Sequence, residues 1–185
     1  MMSSALAVYG SFFLTTALSY ALICLGLNLQ WGQTGLFNVG VAGFVGIGAY
    51  ASALLTTPAT DAHWGGFGLP IAAGWIGAMG IAGAASALIG IATLRLRADY
   101  LAITTFGVAV TIHLVALNAQ ALTGGPYGIA FIPRPFGDLA DRPLLFNGLN
   151  LALVAALALV LYIGLERLAR STRPHGLRAR RSSAT

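Results

Sequence analysis

Between Met1 and Leu94 this chain carries a single charged residue, Asp61. A soluble domain draws about a quarter of its residues from Asp, Glu, Lys and Arg. Here the share is 8% over all 185 residues. A stretch this long and this poor in charge belongs in lipid. Lipid offers no partner to an exposed backbone amide, so each segment that enters it must be helical and close its hydrogen bonds on itself. The fold class is therefore all-α, a polytopic transmembrane helix bundle.

A spanning helix needs about 20 mostly apolar residues. Four segments meet this plainly: Ser4 to Leu29, Pro70 to Leu94, Leu101 to Leu122, and Asn147 to Leu165. A further segment, Val39 to Thr57, is long enough but rich in glycine, with Gly40, Gly43, Gly46 and Gly48. The stretch before it, Gln30 to Asn38, is polar yet uncharged. It reads either as an ordinary turn or as a broken, re-entrant helix, which membranes tolerate where the break lines a polar cavity. The expectation is about five spans, with the second broken or re-entrant. Residues 1–165 form the bundle and 166–185 a basic tail.

The arginines set the orientation, because excess Arg marks the cytoplasmic side. Arg95 and Arg97 follow the third segment, and Arg167, Arg170, Arg173, Arg178, Arg180 and Arg181 follow the last. These ends are expected on the cytoplasmic side. The Asp61 loop and the loop from Thr123 to Phe146 are then outside. Trp31, Trp64 and Trp75 fall near segment ends, as an interfacial belt places them. No Lys or Arg precedes Arg95, so the first segment lacks the basic start of a secretory signal and is expected to stay. The net charge of +5 does not indicate nucleic acid, since the few arginines sit at the ends of apolar runs.

The motifs argue against chemistry. Gly40, Gly43 and Gly46 recur every third residue, as do Gly74, Gly77, Gly80 and Gly83; small residues in such rows let membrane helices pack closely. Thr123-Gly124-Gly125-Pro126 is not a phosphate loop, because a Walker A loop needs a Lys and the chain has none. Cys24 reads as a small packing residue and His113 as a satisfied core histidine. Arg95, Arg97 and Asp99 read as a topology anchor with a local ion pair. His63, His113 and His175 are too far apart to share a helix face, so neither a metal nor a catalytic site is expected, and no cofactor. No Asp, Glu or Arg falls inside the spans, which argues against a proton-coupled secondary carrier.

Three stretches resemble one family. Gly26-Leu27-Asn28-Leu29-Gln30-Trp31-Gly32-Gln33-Thr34-Gly35-Leu36-Phe37-Asn38-Val39-Gly40 leads into Gly46-Ile47-Gly48-Ala49-Tyr50. Leu94-Arg95-Leu96-Arg97-Ala98-Asp99-Tyr100-Leu101 and Leu122-Thr123-Gly124-Gly125-Pro126-Tyr127-Gly128 follow in the same order. Together they resemble the permease subunits of branched-chain amino-acid ABC importers, the LivM type. The resemblance implies a multi-pass transport subunit of the bacterial inner membrane, without an ATPase motif of its own. Its implied partners are a second permease subunit, cytosolic ATPase subunits and a periplasmic binding protein. Gln33, Thr34, Gly35, Asn38 and Gly40 would line the substrate pathway. Thr123, Gly124 and Gly125 would form an external loop, and Arg95, Arg97 and Asp99 a cytoplasmic turn. Many members carry Ser and His where this chain has Asn38 and Val41, which leaves the exact amino acid open. The family continues past the last segment, whereas this sequence turns into Arg, Ser and Ala after Ser171. The alternative expectation is a truncated, transport-inactive fragment of such a permease.

Overall fold

The structure is a computed structural model, and it describes residues 2–35, 37–60, 64–93 and 95–172. Asp61, His63 and the tail from Arg173 onward, with His175, Arg178, Arg180 and Arg181, lie outside the described residues. Six α-helices follow one another: α1 Met2–Leu29, α2 Val41–Thr56, α3 Ile71–Thr93, α4 Ala98–Asn118, α5 Gln120–Thr123 and α6 Pro143–Thr172. A π-helical turn, Gln30–Thr34, extends α1, and two short 3-10 turns, Gly125–Tyr127 and Gly137–Leu139, precede α6.

Four helical stretches are long and apolar enough to cross a membrane: Ala5–Gly32, Ile71–Thr93, Asp99–Asn118 and Pro143–Arg167. The chain is thus an all-α, polytopic membrane protein. The fifth expected span, α2, has 16 residues. At about 1.5 Å per residue it reaches roughly 24 Å, short of the ~30 Å hydrocarbon layer. The expected continuous segment from Leu101 to Leu122 is divided at Ala119, whose ψ of 62° ends α4 before α5 begins. The last helix runs further than the apolar run that marks it, to Thr172. Residues 166–170 are Glu, Arg, Leu, Ala and Arg, all strong helix formers, so nothing stops the helix where apolarity ends.

The chain forms two units, Met1–Thr34 with Phe136–Thr185, and Gly35–Pro135. In the first, α1 packs on α6, and neither helix contains a fully buried residue among those described. Cys24, expected to pack, is exposed there. In the second unit α2 packs on both α3 and α4. Its core is made of small side chains: Ala51, Ala53, Ala78, Thr56, Thr57, Thr93 and Thr105, with Leu101 the one larger residue. Small side chains suit lipid, where contact between backbones replaces the hydrophobic drive that water supplies. Each buried threonine on a helix returns its hydroxyl proton to the carbonyl four residues back. Thr56 donates to Ser52 at 2.8 Å, Thr93 to Ile89 at 2.8 Å and Thr105 to Leu101 at 2.9 Å. No hydroxyl is left unsatisfied by that arrangement.

The glycine rows divide unexpectedly. A Cβ on Gly77 would stand 2.6 Å from Leu55 Cδ1, and one on Gly74 would collide with Thr56. Gly74 and Gly77 therefore seat α3 on α2. Gly80 and Gly83, next in the same row, have open space around them, as does Gly46. Helices that cross at an angle touch over a turn or two and then diverge. A glycine row consequently works only near the crossing.

Residues 64–69 fold back over the end of α2. Gly66 N–H donates to the Leu54 carbonyl at 2.9 Å, Leu69 N–H to Leu55 at 2.9 Å and Gly68 N–H to Thr57 at 3.0 Å. These bonds take up carbonyls that a helix C-terminus leaves without partners.

Candidate functional site

The polar stretch before α2 is the place to build from. The helix begun by α1 persists as a π turn through Thr34 and stops at Gly35, whose φ is +68°. Glycine is the residue that most readily takes this left-handed conformation at a helix end. The helix thus ends later than Gln30, and among the described residues the non-helical part is 35 and 37–40. Asn38 then starts the next helix. Its Oδ1 accepts the Gly40 N–H at 2.8 Å, a side-chain turn that orients the chain into α2.

Thr105 on α4 holds this turn from beneath. Its Oγ1 accepts the Val39 N–H at 3.2 Å and donates to the Leu101 and Ala102 carbonyls at 2.9 and 3.1 Å. At 3% exposure Thr105 is buried, so these bonds have little competition from solvent. Gly40 makes the approach feasible. A Cβ there would lie 2.8 Å from the Thr105 carbonyl oxygen and 3.2 Å from Thr105 Cβ. One turn on, a Cβ on Gly43 would lie 3.0 Å from Ala109 Cα. Two glycines three residues apart thereby seat the first turn of α2 on α4.

Of the residues expected along a pathway, the structure brings Asn38 and Gly40 together on Thr105. Asn38 is half-buried, Gly40 buried and Gly35 exposed. Gln33 and Thr34 have their backbones in the π turn, and their side chains lie outside the described residues. Sequence reasoning missed Thr105. The signal available was a Thr-Thr pair, Thr104-Thr105, in the first two turns of a mostly apolar span.

The second constellation, Thr123-Gly124-Gly125, is a knot of backbone bonds. Thr123, 8% exposed, donates its hydroxyl to the Ala116 and Ala119 carbonyls at 2.6 and 2.8 Å and accepts the Gly125 N–H at 3.2 Å. The break at Ala119 leaves the Ala116 carbonyl without its usual amide, and Thr123 replaces that donor. Gly124 turns at φ +73°, and a Cβ on it would collide with the Gly128 carbonyl.

Arg95, Arg97 and Asp99 are all exposed between α3 and α4. Asp99 lies in the first turn of α4, where a negative charge favours the helix dipole. The expected ion pair is not formed: among the described residues Asp99 pairs with neither arginine. Exposed side chains this long gain too little from such a pair to be held in it. His113, expected in the core, is exposed on α4. Among the described residues no three of His, Cys, Asp and Glu come together as metal ligands would.

Uncharged polar groups and glycines thus mark this turn, and among the described residues no metal-ligand cluster accompanies it. Residues 10–183 match the family described as branched-chain amino acid transport system / permease component. Over 125 residues the chain is 44% identical to the high-affinity branched-chain amino acid transport system permease protein LivM of Escherichia coli strain K12. It is 42% identical over 125 residues to the protein of the same name from Salmonella typhimurium strain LT2. Each alignment covers 65% of this chain and 27% of the relative, so the chain spans about a quarter of the length of the curated relatives it matches. No solved structure matches the chain. The match over residues 10–183 places the chain in the branched-chain amino-acid permease family.

Proposed function

We propose that the chain acts as a membrane permease subunit of an ABC importer for branched-chain or similar amino acids. The observation that carries this reading is the family match over residues 10–183. The partners are a second permease subunit, cytosolic ATPase subunits and a periplasmic binding protein. The chain itself moves solute and performs no covalent chemistry. The path passes the break at Gln33, Thr34, Gly35, Asn38 and Gly40. A zwitterionic amino acid suits such a place, because the N-terminus of α2 offers amide protons to a carboxylate and the freed carbonyls before it accept from an ammonium. The half-buried Asn38 amide beside that N-terminus supports this reading. No observation favours the transport-inactive remnant over it.

Uptake tests the role. Vesicles holding the chain, its partner subunits and the binding protein should accumulate radiolabelled leucine in an ATP-dependent manner. Uptake that is unchanged when this chain is omitted would end the proposal. Asn38→Cys in a Cys24→Ser background tests the path. It should react with a water-soluble thiol reagent, and saturating leucine should slow that reaction. Full protection in every state would remove Asn38 from the path.

Topology supplies a separate check. On this reading the turn at Arg95, Arg97 and Asp99 and the tail after 165 lie in the cytoplasm and the Thr123–Gly125 loop lies outside, because excess Arg favours the cytoplasmic side. A reporter fused after Arg181 should read cytoplasmic, and one inserted beside Trp64 should read external. Both reporters on one side would refute the orientation.

A further inference from the structure

One end of the unit Gly35–Pro135 exposes large aromatic side chains where its helices stop. Tyr127 is 98% exposed, Phe131 91%, Trp64 75% and Phe67 71%. Backbone bonds hold Trp64 and Phe67 there. The Trp64 N–H donates to the Ala121 carbonyl in α5, and the Phe67 N–H donates to Leu54 near the end of α2 at 3.3 Å. The rings therefore stand at the level where α2 and α4–α5 end. Phe131 also holds φ at +57°, a conformation that side chains other than glycine rarely adopt. A phenyl ring projected into water from a strained backbone is unfavourable on both counts, and such strain persists only where surroundings reward it.

We propose that the segment Tyr127–Ile132 is a membrane-surface anchor, lying in the headgroup layer of the bilayer with Tyr127 and Phe131 inserted. Three observations select lipid as the occupant. The segment is continuous with the end of a membrane-spanning helix, α4, so its backbone already lies near the boundary of the hydrocarbon layer. From Gln120 to Phe136 the one charged residue is Arg134, exposed and long enough to reach headgroup phosphates while its stem stays in the apolar layer. The residue types are those that settle at a lipid–water boundary, where a ring is apolar on one side and wet on the other. The inference does not depend on the proposed function, because an anchor of this kind serves an inert chain equally well.

Site-directed spin labelling of the full chain in phosphatidylethanolamine–phosphatidylglycerol vesicles tests it. Tyr127→Cys and Phe131→Cys, each made in a Cys24→Ser background, carry the nitroxide. Ile103→Cys, on the exposed apolar face of α4, is the lipid reference, and Asp138→Cys the aqueous one. Collision with dissolved oxygen reports lipid, and collision with a water-soluble nickel chelate reports solvent. The oxygen-to-nickel ratio at both sites should exceed that at Asp138→Cys by about tenfold, the order of partition a large apolar side chain gains on leaving water. A ratio equal to that at Asp138→Cys would overturn the proposal, since the loop would then stand in water. Shielding from both reagents would overturn it as well, and would show that protein covers the rings.

Discussion

Gly40→Leu is expected to unseat α2 and abolish uptake, while Gly46→Leu leaves both nearly unchanged. The two positions belong to the same row of glycines at every third residue, six residues apart, and both have ordinary negative φ. Conformational freedom therefore does not distinguish them, and contact does. A Cβ on Gly40 meets the Thr105 carbonyl oxygen at 2.8 Å and Asn38 Oδ1 at 3.0 Å. The first of these is backbone on a spanning helix and cannot rotate away. Accommodating even one carbon requires α2 to retreat from α4, and retreat stretches the 3.2 Å bond from Val39 N–H to Thr105 Oγ1. Overpacking of this kind costs about 1–3 kcal/mol, and the part-buried Val39 amide loses its acceptor as well. A Cβ on Gly46 meets nothing within 4 Å. Thermal denaturation in detergent, read beside uptake in vesicles, gives both results. Equal loss at the two positions would mean that the Gly46 side of α2 is also packed in the membrane, and the contrast drawn here would fail.

That contrast also marks where sequence reading stops. The apolar runs located α1, α3, α4 and α6 because length and composition alone decide whether a segment can span. The glycine spacing correctly signalled close packing. It did not reveal that Gly40, Gly43, Gly74 and Gly77 bear contacts while Gly46, Gly80 and Gly83 do not, since that depends on where two helices cross. The break at Gly35–Gly40 was legible as an uncharged polar stretch with glycines. Its support by Thr105 was not, because a bond across 66 residues leaves no local trace. The division of α4 from α5 was equally hidden: Ala119 is a strong helix former, and the break there is stabilised by Thr123, four residues later. Exposure of Cys24 and His113 went against their readings for one reason. Sequence shows that a residue lies in a span, but the face it occupies is set by neighbouring helices.

Thr123→Val should destabilise the α4–α5 end by about 2–5 kcal/mol, with Thr123→Ser restoring most of the loss. Valine keeps the shape of threonine and the packing of a residue that is 8% exposed. What it removes is one oxygen that serves three partners. The Ala116 carbonyl loses a 2.6 Å donor, the Ala119 carbonyl one of its donors, and the Gly125 N–H its 3.2 Å acceptor. Ala119 fares best, because the Leu122 and Thr123 amides still donate to it at 2.9 Å. The Ala116 carbonyl and the buried Gly125 amide have no such reserve, and each unpaired group costs about 1–3 kcal/mol. The consequence is local before it is global. Gly124 and Gly128 are held at φ +73° and +68°, and without the Thr123 bond the turn at Gly125 has one fewer constraint on that geometry. Hydrogen exchange should therefore rise first at Gly125 and Gly128, with Thr105 and the α2 contacts still protected. Serine retains the hydroxyl and loses only a methyl group, so it should recover slow exchange at Gly125. If Thr123→Val left exchange at Gly125 and Gly128 unchanged, water or lipid headgroups would already be satisfying those groups, and the hydroxyl would not be what holds this end of the helix.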